Sequence, residues 1–414
     1  MDSITRRRFL RASGVVGGAA IAAGAAGIGL AELLRTAGND NSPTAGTLVL
    51  VTLYGGNDGL NTVVPYADDA YHATRPELAY GPEQVLRLDG ALGLNPRLVG
   101  LRRLWDERQL AIVLGAGYPN PDRSHFRSMD IWQTASPAHP VNTGWIGRWL
   151  DGTNAPVTAA VSFEPVLPPL LVGRTRIGAC VSYRGLTLPP WIDSGVVAAL
   201  GRTEPDEPPM QARAAAAYTE LLMMEQVVRD AEHLLPTDPA AEPDTPATST
   251  GGGNALRTQL ALVAKCVEAG VPTRVYSTSL GGFDTHAQEL FGHELLLGQL
   301  DDALTGFVGR MTRTEAGRRV VVVVYSEFGR RVRANASDGT DHGTAGPVLV
   351  LGPQVTGGLY GEQPGLTDLD DGDLKATVDF RQVLGTVLES VLQADPTRYL
   401  DGYSGPSLPF VPRI

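Results

Sequence analysis

Cysteine is nearly absent from this chain, which has only Cys180 and Cys266 in 414 residues. Two cysteines are too few for a disulfide framework of the kind that stabilises small secreted domains. A single bridge is an alternative in an oxidising compartment, but the sequence favours two inert buried thiols. Any metal site in this chain must therefore be built mainly from oxygen and imidazole ligands.

Basic side chains are also in short supply. Lysine and arginine total 34 against 45 aspartates and glutamates, which gives a formal net charge of −11. Nucleic-acid binding depends on clustered lysines and arginines that contact phosphates, so this acidic chain is not expected to bind nucleic acid. The same composition is compatible with a metal site. Hydrophobic residues make up 43% of the chain, which predicts a globular protein with a substantial core.

The N-terminus lacks the leucine- and isoleucine-rich run of a transmembrane helix. Its segment TRRRFLR, from Thr5 to Arg11, matches the twin-arginine export pattern and precedes a Gly/Ala-rich segment from Gly14 to Leu34. Glycine and alanine contribute little free energy of transfer into a bilayer, so this segment is typical of an export signal. Residues 1–38 are therefore predicted to be a signal peptide, bound by the twin-arginine translocase during export to an extracytoplasmic location. No clean A-x-A site follows, so cleavage and retention as an anchor both stay open.

Short apolar runs rich in β-branched residues, closed by glycine, proline or polar residues, predict the strands of a buried sheet. They are Thr47 to Tyr54, Leu110 to Leu114, Thr273 to Ser279, Val320 to Val324 and Pro347 to Leu351. With amphipathic segments between them, they predict an α/β fold with a mainly parallel sheet sandwiched between helices. Residues 47–414 are expected to form a single domain, in which the Pro/Thr/Gly-rich segment 236–253 is a mobile loop. Residues 208–235 are predicted to be helical, and residues 142–192 to be strands and loops.

Acidic side chains recur just beyond these strands. They are Asp58 in GGNDGLN, Asp284 with His286 in GGFDTH, Glu327 in SEFGR, and Asp341 with His342 in GTDHG. Because the carboxyl ends of parallel strands meet at one edge of a sheet, these acids are expected to lie close together. Crowded carboxylates repel one another unless a cation binds, and carboxylates with imidazoles suit a divalent zinc, manganese, calcium or iron ion. The alternative is a set of solvated loop acids that never meet, since one sequence does not fix the strand order.

Ser124 follows the second strand, at a predicted helix N-terminus, where the helix dipole and free amides stabilise an alkoxide or a bound anion. It is therefore a candidate nucleophile, and the alternative is that it only caps the helix.

Arg330 and Arg123 are candidates to bind the oxygens of an anionic substrate. The alternative for Arg330 is a surface charge paired with the acidic body. His125 and His342 are candidate proton donors to a leaving group.

The segments GGNDGLN, SHF, GGFDTH, SEFGR and GTDHG, in this order behind the twin-arginine pattern, resemble the bacterial family called domain of unknown function 1501. The resemblance covers about Thr47 to Leu392. It implies the fold of the alkaline-phosphatase and sulfatase superfamily, a parallel sheet between helices with one or two metals at the strand ends. Asp58 resembles the first metal-binding acid and Ser124 the helix-capping nucleophile. Asp284 and His286 resemble the acid and histidine of the other metal, although the usual spacing between those two is longer.

Two residues depart from the superfamily pattern. Glu327 stands where an aspartate is expected in an Asp-His-Gly segment, and Phe328 stands where its histidine is expected. His342 falls where a later histidine precedes a strand. The resemblance implies an exported, metal-dependent hydrolase that acts on a small-molecule or polymer-borne phosphate or sulfate ester. The alternative is an exported binding or assembly protein that keeps the fold, with or without a structural metal, and performs no turnover.

Overall fold

The computed structural model describes residues 30–37, 46–181 and 255–414. The helices are α1 (Leu30–Arg35), α2 (Gly59–Thr62), α3 (Asp69–Thr74), α4 (Val99–Asp106), α5 (His125–Thr134), α6 (Trp145–Thr153), α7 (Ala255–Glu268), α8 (Glu289–Met311) and α9 (Phe380–Ser390). The strands are β1 (Thr47–Tyr54), β2 (Val63–Val64), β3 (Leu86–Arg87), β4 (Gly93–Leu94), β5 (Leu110–Gly117), β6 (Ala160–Ser162), β7 (Ala179–Cys180), β8 (Val275–Gly281), β9 (Val320–Ser326), β10 (Arg330–Ala334), β11 (Thr340–His342), β12 (Gly346–Leu351), β13 (Gly358–Tyr360), β14 (Leu369–Asp370), β15 (Asp373–Leu374) and β16 (Val378–Asp379).

The central sheet has nine strands in the order β13-β5-β12-β9-β1-β8-β6-β7, and β16 pairs with β5. β1 is parallel to both β8 and β9, whereas β12 is antiparallel to its neighbours β9 and β5. The other pairs in this sheet are parallel. Only the hairpin β10–β11 separates β9 from β12, and a parallel return would need a longer crossover. The predicted α/β class, with a mostly parallel sheet flanked by helices, is confirmed.

The five consecutive valines of β9 explain how the sheet is buried on both faces. Val321 and Val323 belong to the hydrophobic cluster that also contains residues of α5, α6 and α9. Val320, Val322 and Val324 belong to the opposite cluster, which contains residues of α4, α7 and α8. Successive side chains of a strand point to opposite faces, so an uninterrupted valine run is stable only where helices cover both faces.

Residues 142–192 were expected to form strands and loops, and this prediction is partly wrong. The described part of this segment contains β6 and β7, but it begins with helix α6. The buried side chains of this helix are Trp145, Ile146, Trp149 and Leu150, which recur at helical spacing. The abundant glycines and prolines around them concealed that period in the sequence.

Some predictions fall on parts of the chain outside the described residues. The predicted helix at 208–235 and the predicted loop at 236–253 both lie there. Of the predicted signal peptide, only residues 30–37 are described. In that short piece, α1 places Leu30 and Leu33 in the hydrophobic core.

Both cysteines are free thiols, as the sequence favoured. Burial raises the pKa of Cys180 to about 11 and that of Cys266 to about 12. Because the thiolate is the reactive form, thiols with such high pKa values are inert near neutral pH.

A buried polar network lies where α2 and α8 begin. Asp58 is fully buried; its Oδ1 accepts from the amide of Leu60 at 3.2 Å and its Oδ2 from Arg75 Nη1 at 2.6 Å. On α8, Glu289 Oε2 accepts from the hydroxyl of Thr340, whereas Glu289 Oε1 meets no donor among the described residues. Burial and the charge of Asp58 raise the pKa of Glu289 to about 9. We infer that Glu289 keeps its proton and donates a hydrogen bond to the ionised Asp58, which can only accept.

The titration of Glu289 makes a prediction about stability. A carboxyl group with a folded pKa near 9 and an unfolded pKa of about 4.3 stabilises the fold fully only below the lower value. This contribution is lost as the pH rises toward 9, because the unfolded chain gives up the proton first. Glu289→Gln keeps a neutral donor and acceptor, so its free energy of unfolding relative to wild type should rise by about 1–3 kcal/mol between pH 5 and pH 8.

Urea denaturation across this pH range measures the difference. Glu294→Gln is the matched control, since Glu294 lies on the same helix but is partly exposed and pairs with Arg97. Its stability relative to wild type should change little with pH. Parallel stability curves for Glu289→Gln and wild type would show that Glu289 is ionised in the folded protein.

Candidate functional site

The carboxyl edge of the sheet brings together residues from distant parts of the chain. β1, β8 and β9 are neighbours and run in the same direction, so the loops that follow them meet at this edge. The loop after β8 carries Asp284 and His286, and the loop after β9 begins with Glu327. His125 opens α5 after β5, and His342 ends β11.

Asp284 Oδ1 is the point on which these side chains converge. His286 Nε2 lies 2.9 Å from it, His342 Nε2 3.1 Å and His125 Nε2 3.4 Å. Arg330 Nη2 donates to the same oxygen at 2.8 Å. The Asp284 side chain is 49% exposed, so the group is open to solvent and a small molecule can reach it.

The ring orientation of His125 is fixed from behind by Glu327. His125 Nδ1 lies 2.8 Å from Glu327 Oε1, and Glu327 is 2% exposed. Since a carboxylate only accepts, Nδ1 carries the hydrogen, and the lone pair of the neutral ring is on Nε2, the atom nearer Asp284. A carboxylate that orients a histidine from its far side is a common support for a metal ligand. Glu327, predicted as a ligand, lies on the far side of the His125 ring from Asp284 and contacts its Nδ1.

His342 is oriented in the same way by the main chain. Its Nδ1 lies 2.8 Å from the carbonyl oxygen of Arg123. A carbonyl oxygen is an acceptor, so the hydrogen again sits on Nδ1 and the lone pair of the neutral ring is on Nε2. Two imidazoles from different elements thus direct their Nε2 atoms toward one carboxylate.

The donor set fits a divalent metal ion. One ligand atom from each of His125, Asp284 and His342 lies within 4.8 Å of the others. Ligands about 2.1 Å from zinc at tetrahedral angles are about 3.4 Å apart, close to the separation of His125 and Asp284. His125 Nε2 is buried and has no hydrogen-bond partner among the described residues. A metal ion would satisfy this atom.

The electrostatics at this position also favour a cation. Burial opposes ionisation of Asp284, but the neighbouring imidazoles of His125 and His342 and the guanidinium group of Arg330 lower the pKa of this carboxyl far below its ordinary value. Burial likewise opposes a charge on His125, but Asp284 and Glu327 raise the pKa of the imidazole to about 9. The surrounding carboxylates therefore stabilise positive charge at this point, whether it is a proton or a metal ion.

His286 and Asp341 lie at the margin of this group. His286 Nε2 is 2.9 Å from His342 Nε2, and its Nδ1 is 3.4 Å from Asp341 Oδ1. Asp341 therefore approaches the far side of the His286 ring. This places His286 as a further candidate ligand and Asp341, predicted as a ligand, as its orienting partner.

Phe328 fills the place where the resemblance leads one to expect a histidine. Its ring centroid lies 4.9 Å from the rings of both His125 and His342, so it packs against both of them. A Cβ at Gly56 would come within 2.2 Å of the Phe328 ring, and Gly56 has φ +75°. Phe328 therefore restricts the movement of the two imidazoles without offering a ligand.

Two of the predicted site residues are committed to structural roles. Arg330 is 1% exposed and donates to the carbonyl oxygens of Gly55, Gly56, Phe283 and Thr340 in addition to Asp284. With its donors already used, it positions Asp284 and is not free to bind a substrate anion. Asp58, expected to be a metal ligand, instead forms a buried ion pair with Arg75. The sequence did not indicate this, because Arg75 lies in a different segment.

Ser124 occupies the N-cap position of α5, next to His125. Its side chain makes no capping hydrogen bond to the helix, and the residue is exposed. The backbone amide of Ser124 donates to Asp122 Oδ1 at 2.7 Å, which holds the entry to the helix. The hydroxyl group is therefore not used by the helix, and the proposal that it acts as a nucleophile stays open.

The proposed ligand set predicts metal content. His342→Ala should lower the affinity for zinc or manganese by at least about 100-fold, because it removes a ligand. Glu327→Gln, which leaves the ligands in place, should lower it less, by roughly 10-fold. Elemental analysis after dialysis of untagged protein against buffered metal measures both.

His139→Ala is the control for this experiment, since it removes an imidazole that is 61% exposed and paired only weakly with Asp401. Its metal content should match that of wild type. If His342→Ala bound metal as wild type does, the cluster around Asp284 would not be a metal centre.

The reassignment of Asp58 makes a separate prediction. Asp58→Asn removes the charge that compensates buried Arg75, so the free energy of unfolding should fall by about 3–5 kcal/mol. Metal affinity of the folded protein should not change. Asp106→Asn, which disrupts an exposed pair with Arg102, should cost less than about 1 kcal/mol. If Asp58→Asn lost metal but kept its free energy of unfolding, Asp58 would be a metal ligand after all.

Solved structures with a similar fold come from several enzymes and related proteins. One is a protein of the alkaline phosphatase superfamily from Vibrio parahaemolyticus, with 10% identity, a TM-score of 0.41, and coverage of 91% of this chain and 78% of that one. Another is a phosphonate monoester hydrolase from Silicibacter pomeroyi, with 9% identity, a TM-score of 0.37 and coverage of 87% and 78%. A third is the alkaline phosphatase of the Antarctic bacterium TAB5, with 10% identity, a TM-score of 0.32 and coverage of 77% and 94%. These similarities are too weak to indicate a function for this chain.

Comparison by sequence gives a more specific result. No curated protein matches the chain significantly. Among the described residues, no helix is long and apolar enough to cross a membrane. The model of the family described as "Protein of unknown function (DUF1501)" matches residues 117–410. The resemblance seen in the sequence motifs is thereby confirmed, and the chain belongs to the DUF1501 family.

Proposed function

We propose that this protein is an exported, metal-dependent hydrolase of phosphate or sulfate esters. The observation that carries the proposal is the convergence of His125 Nε2, Asp284 Oδ1 and His342 Nε2 at a solvent-accessible edge of the sheet. The twin-arginine pattern at the N-terminus supports export to an extracytoplasmic location. Export by that pathway carries folded proteins, so a metal ion can be loaded before translocation.

His125, Asp284 and His342 would hold the metal ion, and His286 lies beside them on the exposed side. A divalent ion bound by these residues would supply a Lewis acid, which would polarise the ester oxygens and offset the charge that develops on them. Zinc, manganese and iron suit a set of imidazole and carboxylate ligands, and calcium suits the carboxylates alone. The identity of the ion is left to measurement.

The protein's own groups position the ligands and the nucleophile. Glu327 holds the His125 ring, the carbonyl oxygen of Arg123 holds the His342 ring, and Arg330 holds Asp284. Ser124 is the proposed nucleophile, because its exposed hydroxyl makes no capping hydrogen bond and adjoins His125. The N-terminus of α5 places the positive end of a helix dipole at the same point, which favours an anionic group there.

Proton transfer is assigned to His286. This imidazole is 45% exposed and lies beside Asp284 and His342. An exposed imidazole next to the metal ligands can donate a proton to the departing alcohol when it is not itself a ligand. His125 and His342, considered for this task from the sequence, are instead assigned to the metal ion in this proposal.

Hydrolysis of a substrate panel tests the proposal. Metal-loaded wild type should hydrolyse at least one of an aryl phosphate monoester, a diester, a phosphonate monoester and an aryl sulfate. Ser124→Ala should lower kcat by at least about 100-fold, because it removes the attacking group, with little change in metal content. Ser407→Ala, which removes another serine hydroxyl that bonds Glu389, is the control and should keep wild-type activity.

Two results would contradict the proposal in different ways. Metal bound in stoichiometric amounts, with no turnover of any ester, would favour an exported binding or assembly protein with a structural metal. If hydrolysis persisted in Ser124→Ala but was lost in His342→Ala, the metal centre would still be needed for activity. The nucleophile would then be a water molecule and not the serine.

A further inference from the structure

A cavity of about 430 Å³ adjoins the candidate metal centre and takes no part in the chemistry proposed above. Its lining includes Arg123, two residues before His125, and Thr344, two residues after His342. The hairpin β14–β15 contributes another wall. The carbonyl oxygen of Arg123 also orients His342, so the cavity and the metal centre share one segment of main chain.

The cavity is lined by more acidic than basic groups. Its charged residues are Asp370, Asp371, Asp373, Asp379, Arg123 and Lys375. Both cations are already engaged: Arg123 pairs with Asp371 and Asp373, and Lys375 pairs with Asp368 outside the lining. Two arginines outside the lining also pair with its acids, Arg381 with Asp379 and Arg331 with Asp371. Asp370 forms no ion pair with a described residue, so a ligand that enters meets more acidic than basic groups in the lining, with Asp370 not neutralised.

Asp373 is a buried carboxylate in the lining, and one of its oxygens has no hydrogen-bond partner among the described residues. It is 2% exposed, and its Oδ2 accepts from Arg123 Nε at 2.7 Å. Its Oδ1 accepts no hydrogen bond from any described residue, and Arg331 Nε lies 3.5 Å away. Burial raises the pKa of Asp373 despite Arg123, as expected of a carboxylate with too few donors. Leaving a buried acceptor unpaired is unfavourable, and a donor that enters the cavity removes this penalty.

We propose that this cavity binds the alcohol portion of the ester and selects an alcohol that carries an ammonium group. The size is that of a small-molecule site. An ammonium group donates to Asp373 Oδ1 and is attracted by the excess of aspartates, whereas a carboxylate-bearing alcohol is repelled. The assignment to the alcohol portion rests on the proposed function. The preference for an ammonium group rests only on the cavity.

Binding of three alcohols with one carbon skeleton isolates the effect of charge. They are 3-amino-1,2-propanediol, glycerol and glycerate, which carry positive, zero and negative charge at neutral pH. Ligand-observed NMR titration at low ionic strength, where screening is weak, should show the amine binding at least about 10-fold more tightly than glycerol. Glycerate should bind most weakly. Equal affinities, or tightest binding of glycerate, would overturn the proposal.

Variants with matched charge locate the binding site. Asp370→Asn combined with Asp371→Asn should weaken binding of the amine by about 10-fold, because it removes two charges from the lining. Asp302→Asn combined with Asp338→Asn is the control and should bind as wild type does. Asp371 and Asp338 are both turn residues with positive φ, 49° and 53°, a conformation that asparagine adopts readily, so both double variants should fold. Equal loss in the two double variants would place the effect outside the cavity.

The phosphate monoesters of the same three alcohols separate this inference from the proposed function. If the esters are hydrolysed, kcat/KM should be highest for the ester of the amine, lower for that of glycerol and lowest for that of glycerate. The Asp370/Asp371 double variant should reduce the differences in kcat/KM among the three esters. Charge-selective binding without hydrolysis would leave the cavity as a binding site and contradict the hydrolase. Hydrolysis without charge preference would keep the hydrolase and contradict the cavity's role.

Discussion

The ion pair between Arg330 and Asp284 is the interaction on which the site depends. A buried guanidinium group is stable only when its donors are satisfied and its charge is compensated. Arg330 meets both conditions by donating to carbonyl oxygens of the loops that follow β1 and β8, and to Asp284 itself. The same contacts tie those loops to β10, so the position of Asp284 is fixed by the packing of three segments. Three imidazoles can then approach a carboxylate that does not move away.

The close approach of these loops has a backbone requirement. Gly55 has φ +117°, and a Cβ there would come within 2.4 Å of the Asp284 amide nitrogen. Its own amide donates to Glu327 Oε1 at 2.9 Å, the oxygen that also contacts His125. A side chain at this position would separate the loop after β1 from the loop after β8. Glycine therefore permits the compact geometry in which one glutamate satisfies the main chain and orients a ligand.

The sequence predicted the group of residues better than it predicted their roles. Asp284, His286 and His342 were expected as ligands and do lie within reach of one another, because position after a parallel strand determines the edge of the sheet at which a residue appears. His125 was expected to transfer a proton, and the structure places its ring between Glu327 and Asp284. Arg330 was expected to bind substrate, yet it is buried. Roles depend on which partner a side chain meets, and those partners lie far away in the chain.

The sequence by itself determined the α/β class, the main strands and the recurrence of acids and imidazoles at the carboxyl ends of those strands. These features follow from local patterns, namely β-branched runs, helical periodicity and glycine-rich turns. Only the tertiary structure decided that Asp58 pairs with Arg75 and that Glu327 orients His125. Strand order and side-chain direction are set by long-range packing, so no local pattern reveals which acid faces solvent and which is neutralised inside the fold.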